Sequence, residues 1–140
     1  MAKIRLTQSL FTLALVASLT LSCGARSGPS WPRPGLQSVT LSPTTADAKD
    51  YPDGQVQFTF TAYYNSAPYT VTMYPGNWGA CYQNAPTNEV SVTTAGLAKC
   101  TSGAVGTYTV WATISPIACS AQTACGAGCA AQANAQLTCP

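Results

Sequence analysis

Histidine is absent from all 140 residues, and only 7% of the residues are charged. Without histidine the chain cannot assemble a Ser-His-Asp or Cys-His nucleophilic pair, nor a zinc site that uses imidazole. Past residue 22, four basic side chains (Arg26, Arg33, Lys49, Lys99) stand against four acids (Asp47, Asp50, Asp53, Glu89). That balance leaves no field to steer nucleic acid, and no nucleic-acid partner is expected. No glycine-rich phosphate loop is present either; the glycines fall between strand-like runs. Glu89 would need a second carboxylate from across the fold to form an acid–base pair. The inventory predicts no enzyme, no cofactor and no metal.

What the chain does have begins with an export signal. Lys3 and Arg5 precede an apolar core from Leu10 to Leu21. That core is too short to span a bilayer and reads as residues 1–22 of a secretory signal peptide. Its end, Thr20-Leu21-Ser22-Cys23, resembles the lipobox of bacterial lipoproteins. The resemblance implies acylation of Cys23, membrane attachment through a lipid anchor only, and a place at the outer membrane or cell surface. The rival reading is an ordinary signal peptide cut near Ala25, with a periplasmic or secreted product and no role for Cys23. Residues 23–35 form a Pro/Gly linker in which Pro29, Pro32 and Pro34 withhold ladder donors. Trp31, inside it, is either a docking residue or a side chain folded back on the surface.

From Leu36 onward, short β-type runs alternate with turn residues. Leu36 to Ser42 alternates until Pro43 breaks it, as proline does at an edge. Asp47 to Gly54 is turn chemistry, with Pro52 presetting φ and Asp53-Gly54 reversing the chain. The spacing of Asp47, Asp50 and Asp53 admits a calcium reading, set against a plain acidic surface turn. Gln55 to Tyr64 is the clearest strand. Its strict period of two puts Val56, Phe58, Phe60, Ala62 and Tyr64 on one face, which must look inward. Tyr69, Val71 and Met73 alternate again before Pro75-Gly76. In the last long run Tyr108, Val110, Ala112 and Ile114 face one way, and Thr107, Thr109, Trp111 and Thr113 the other. Trp111 is therefore expected on the outer surface. Such runs, punctuated by glycine and proline, predict an all-β two-sheet sandwich.

Glu89 to Ile114, EVSVTTAGLAKCTSGAVGTYTVWATI, carries a more specific likeness. A short strand, a glycine turn at Gly96, a second short strand and a glycine-threonine-x-threonine-valine strand opening at Gly106 resemble the bacterial immunoglobulin-like domains of group 2. The likeness covers residues 36–115. It implies an Ig-like β-sandwich with Trp78 packed in the core between the sheets; the rival role for Trp78 is a sugar-stacking platform.

Residues 116–140 depart from that pattern as a cysteine-rich tail with no helical period. Within it, Ala135 to Cys139 is expected to be a short strand at an edge. Six cysteines follow Cys23: Cys81, Cys100, Cys119, Cys125, Cys129 and Cys139. An even number in an exported chain reads as three disulfides. A four-cysteine zinc site in the tail is the rival, but its spacings lack a paired C-x₂-C. The Ig-like resemblance makes the strands ending at Cys81 and Cys100 neighbours in one sheet, and so implies Cys81–Cys100. For the tail, Cys125–Cys129 nested inside Cys119–Cys139 is expected, with Cys119–Cys125 and Cys129–Cys139 as the alternative.

The function implied is an exported, non-enzymatic Ig-like module, an adhesive, spacer or scaffold unit with an envelope protein or glycan as partner. The alternative is a carbohydrate- or peptide-binding module that uses Trp31, Trp111 and Tyr82 as exposed contacts. The two differ in whether those three aromatics share a surface.

Overall fold

The computed structural model describes residues 35–73, 75–114 and 119–140. The signal segment, Cys23 and Trp31 lie outside the described residues. Eleven strands and one short helix follow in order: β1 (Leu36–Ser42), β2 (Thr45–Asp47), β3 (Gln55–Gln57), β4 (Thr59–Tyr64), β5 (Thr70–Met73), β6 (Asn77–Tyr82), β7 (Ala85–Pro86), β8 (Val90–Val92), β9 (Leu97–Cys100), β10 (Gly106–Thr113), α1 (Ala121–Cys125) and β11 (Gln132–Cys139).

The alternating run Gln55 to Tyr64 splits into β3 and β4 at Phe58, whose N–H leaves the strand ladder to reach the Gly96 carbonyl at 2.9 Å. β3 pairs with β9, which pairs with β8, while β4 lies between β1 and β5. One continuous run thus joins these two small sheets into a layer. The opposing layer has the order β2-β11-β10-β6-β7. All pairings are antiparallel except β2 with β11. The chain leaves β4 at Pro43 and crosses to β11, so its first stretch serves both layers. Strands divided this way between two facing sheets give an Ig-like sandwich.

The residues expected to look inward do so. Val56, Phe58, Phe60 and Ala62 from one layer meet Tyr108, Val110, Ala112 and Leu137 from the other in one core. Phe58 and Phe60 are each 1% exposed, and burial of each contributes about 2–3 kcal/mol. Tyr108 closes one end. Its hydroxyl donates to Glu89 Oε2 at 2.8 Å and lies 3.4 Å from the Val105 carbonyl three residues upstream. A tyrosine near the start of this strand, bonded back to the upstream corner, recurs in Ig-like sandwiches. Burial first, then the Glu89 carboxylate, pushes the Tyr108 hydroxyl above the usual phenol range.

The carboxyl-terminal residues differ from expectation. β11 runs eight residues and sits between β10 and β2, inside the sheet and not at its edge. Ala133, Ala135, Leu137 and Cys139 face the core, and Asn134 and Gln136 face solvent. Small alanines fit there because the facing sheet already supplies the bulky side chains. A helix is also present where no period is legible: α1 has five residues, too few to repeat. Ser120 caps it, its Oγ accepting from the Thr123 N–H at 3.1 Å.

Candidate functional site

The outer face of the five-stranded sheet carries the most elaborate local structure. In register, Gly79 of β6 stands opposite Trp111 of β10, and Cys81 opposite Thr109. With no side chain on Gly79, the Trp111 indole lies down across it. A Cβ there would stand 2.5 Å from Trp111 Cζ2 and 2.9 Å from Nε1. Glycine inside a strand often marks such a close approach. α1 and its flanks then cover the indole. Cys81, Trp111, Cys119, Ala124 and Cys125 form a second apolar cluster, separate from the core between the sheets.

Trp111 is consequently 3% exposed, against the expectation of an outer-surface aromatic. Its strand parity is as read; what covers that face is the segment read as a tail. Thr113, on the same face, is fully buried too.

Three disulfides hold this arrangement: Cys81–Cys125, Cys100–Cys139 and Cys119–Cys129. All six cysteines are bonded, but each expected pairing is overturned. Cys81 cannot meet Cys100, because β6 and β9 belong to opposite layers and Cys81 points away from the core. It is joined instead by Cys125 on the buried side of α1. Cys100 points inward and meets Cys139, since β11 has entered the opposing sheet. Cys119–Cys129 then brackets α1, which excludes both the nested and the consecutive schemes. Gln132 adds polar ties: its Oε1 accepts from the Cys129 N–H at 2.8 Å, and its Nε2 donates to the Ala124 carbonyl at 2.9 Å.

Beside the covered Trp111 runs a cleft of about 350 Å³. Its lining draws on Trp78 and Gly79 of β6, on Thr87 and Asn88, on Trp111 and on Cys119; the Trp78 ring itself packs on the core side of the sheet, opposite Trp111. Trp111 Nε1 and Trp78 Nε1 are buried, and neither finds a hydrogen-bond partner among the described residues. Thr87, Asn88 and Gly79 were not singled out by sequence. The legible signal was the glycine directly after Trp78 in a strand.

The other sequence candidates scatter. Trp78 is half-buried and packs against the main core, its benzo carbons Cζ2 and Cη2 lying 2.8 and 2.9 Å from where a Cβ on Gly96 would be. Gly96 has φ of +82°, so both backbone and space require glycine there. Tyr82 is 38% exposed and its ring lies 5.0 Å from that of Tyr108, on the opposite side of the sheet from Trp111. Trp111 and Tyr82 therefore do not share a surface. The aspartates have separate tasks. Asp47 accepts from the Lys49 N–H and pairs with Lys49 Nζ at 2.7 Å, which holds its carboxyl below the usual range. Asp53 adopts a positive φ of 57°. Among the described residues no three acidic or cysteine side chains gather as a metal cage. No family model matches the chain, and no curated protein matches it.

Proposed function

We propose that this chain is an exported, non-enzymatic Ig-like module of the bacterial cell envelope, anchored by acylation of Cys23 and working as an adhesive, spacer or scaffold unit. The observation that carries this reading is the bracing of a small sandwich by three disulfides. Such bridges form and persist in oxidising compartments. No helix among the described residues is long and apolar enough to cross a membrane. Glu89, the carboxylate outside the acidic turn, is bonded to Tyr108 at a strand corner, a structural role. The kinship with group 2 Ig-like domains belongs to the same proposal. The fit of Trp78 against Gly96 supports it.

Mass spectrometry of the mature amino terminus tests the anchor. An acylated Cys23 in the membrane fraction is expected. A free Arg26 terminus in the soluble fraction would overturn it.

A further inference from the structure

We propose that the free edge of β5 joins two copies of this chain, which pair β5 with β5 about a two-fold axis into one continuous sheet. The contact goes beyond the scaffold reading and does not depend on the lipid anchor.

The ladder decides which backbone groups face outward. β5 ends its sheet, in the order β1-β4-β5. The Tyr64 N–H donates to the Tyr69 carbonyl at 2.8 Å, in the same register that pairs Phe60 with Met73 and Ala62 with Val71. Hydrogen-bonded and non-hydrogen-bonded pairs alternate along an antiparallel ladder. Tyr69, Val71 and Met73 therefore turn their backbone groups to β4, and Thr70 and Thr72 turn theirs to the free edge. Both threonines are exposed, and their outward groups meet no partner among the described residues. Proteins usually guard such an edge with a charge, a proline or a bulge. β7 carries Pro86, and β1 an irregular register between Leu36 and Ser38. β5 has none of these devices.

A second copy fits this edge in a self-complementary register. With Val71 on the two-fold axis, Thr70 lies opposite Thr72 of the second copy, and Thr72 opposite its Thr70. Each pair exchanges both backbone bonds, so every outward N–H and C=O of the threonines is satisfied. β-Branched residues meet across the seam, Thr with Thr on the outer face and Val71 with Val71 on the core side. Such cross-strand pairs stabilise a sheet. No charge lies between Tyr69 and Met73, so like charges do not oppose one another across the axis.

The same register places Tyr69 opposite Met73 of the second copy. Tyr69 is 66% exposed and Met73 half-buried. Met73 lines a cavity of about 440 Å³ with Phe58, Phe60 and Trp78, and the incoming phenol ring projects towards it. An aromatic ring against a thioether is a favourable contact. An edge this short falls below the ~1,200 Å² that stable interfaces bury. The dimer is consequently weak and reversible, and forms where copies are crowded together.

Sedimentation velocity of the oxidised mature protein tests this, with Cys23→Ser so that neither lipid nor a free thiol joins copies. Reversible dimerisation below millimolar concentration is expected. Tyr69→Ala should weaken it by about tenfold without moving the Tm of the monomer. Thr72→Pro should abolish it, since proline is tolerated where the N–H faces an open edge; should that variant fail to fold, Tyr69→Ala carries the test. Val71→Cys reads the register. Non-hydrogen-bonded partners stand about 4.5 Å apart at Cα, within reach of a disulfide. Mild oxidation should therefore link two copies of Val71→Cys and leave Thr72→Cys unlinked. The proposal is overturned if the protein stays monomeric at millimolar concentration, or if Tyr69→Ala or Thr72→Pro associates as tightly as the parent. It is equally overturned if Thr72→Cys cross-links as readily as Val71→Cys. None of these outcomes bears on the anchor at Cys23.

Discussion

Trp111 and Gly79 form a matched pair, and each is expected to be intolerant of change for its own reason. Trp111→Ala opens a cavity beneath α1 and should cost about 3–5 kcal/mol. Gly79→Ala places a methyl where the indole lies, so the ring must move. We expect about 1–3 kcal/mol of destabilisation, with a shift in tryptophan fluorescence. If Gly79→Ala left Tm unchanged, the close stacking would be wrong. Tyr108 gives a prediction in pH. Its folded-state pKa is raised above the ordinary value near 10. The folded state therefore binds this proton more tightly than the unfolded chain. The stabilisation is complete below the unfolded pKa and is lost as pH rises through the higher folded value. Thermal melts should show an alkaline limb starting near the ordinary phenol pKa, and Tyr108→Phe should flatten it. An identical limb in that variant would point to other groups.

At the scale of elements, the bridges do different work. Cys81–Cys125 joins the sheet to α1 over 44 residues of separation, and Cys119–Cys129 closes a short loop of 10. On chain entropy the first contributes about 4 kcal/mol and the second about 2–3. Cys81→Ala with Cys125→Ala should loosen α1 while the main core persists. Hydrogen exchange would show it as lost protection at Ala124 and Gly126, whose N–H groups bond within the cap. Uniform loss across β10 and β4 would mean instead that the two clusters melt as one. The same elements show what the sequence could and could not convey. Gln55 to Tyr64 was readable because one face is all apolar and the other polar, and burial follows that parity. β11 was half-hidden because alanine at its inward positions gives little contrast with solvent-facing glutamine and asparagine. α1 was invisible because one helical turn cannot repeat. Disulfide partners depend on which layer each strand joins, and no local pattern tells that the strands ending at Cys81 and Cys100 lie in opposite layers. The cleft needed three separated segments to be brought together, and only Trp78-Gly79 gave a local hint.

For the whole molecule, the bridges tie stability to the redox state, the second cluster most of all. The second contains four half-cystines, Cys81, Cys119, Cys125 and Cys129, around one indole. Expression in a reducing cytoplasm should give a protein with a lower Tm and a red-shifted tryptophan spectrum, restored by oxidative refolding. Equal Tm for the reduced and oxidised forms would show that the sandwich supports itself without its bridges.

Cys81–Cys125 and Cys100–Cys139 also interlace: each bridge has one partner inside the loop that the other closes. Under mechanical load, a chain pulled from the Gly35 side and from Pro140 has its force carried through sulfur by either of two routes. Both routes bypass about 40 residues, so a fully stretched but oxidised molecule falls short of the reduced one by about 140 Å. Cutting one bridge alone barely lengthens the tether, because the other still carries the tension. In single-molecule pulling, the extra length should appear only when both are reduced. A unit standing between an anchor and a bound partner would then have a fixed maximum reach, set by covalent bonds and not by the strength of its sheets.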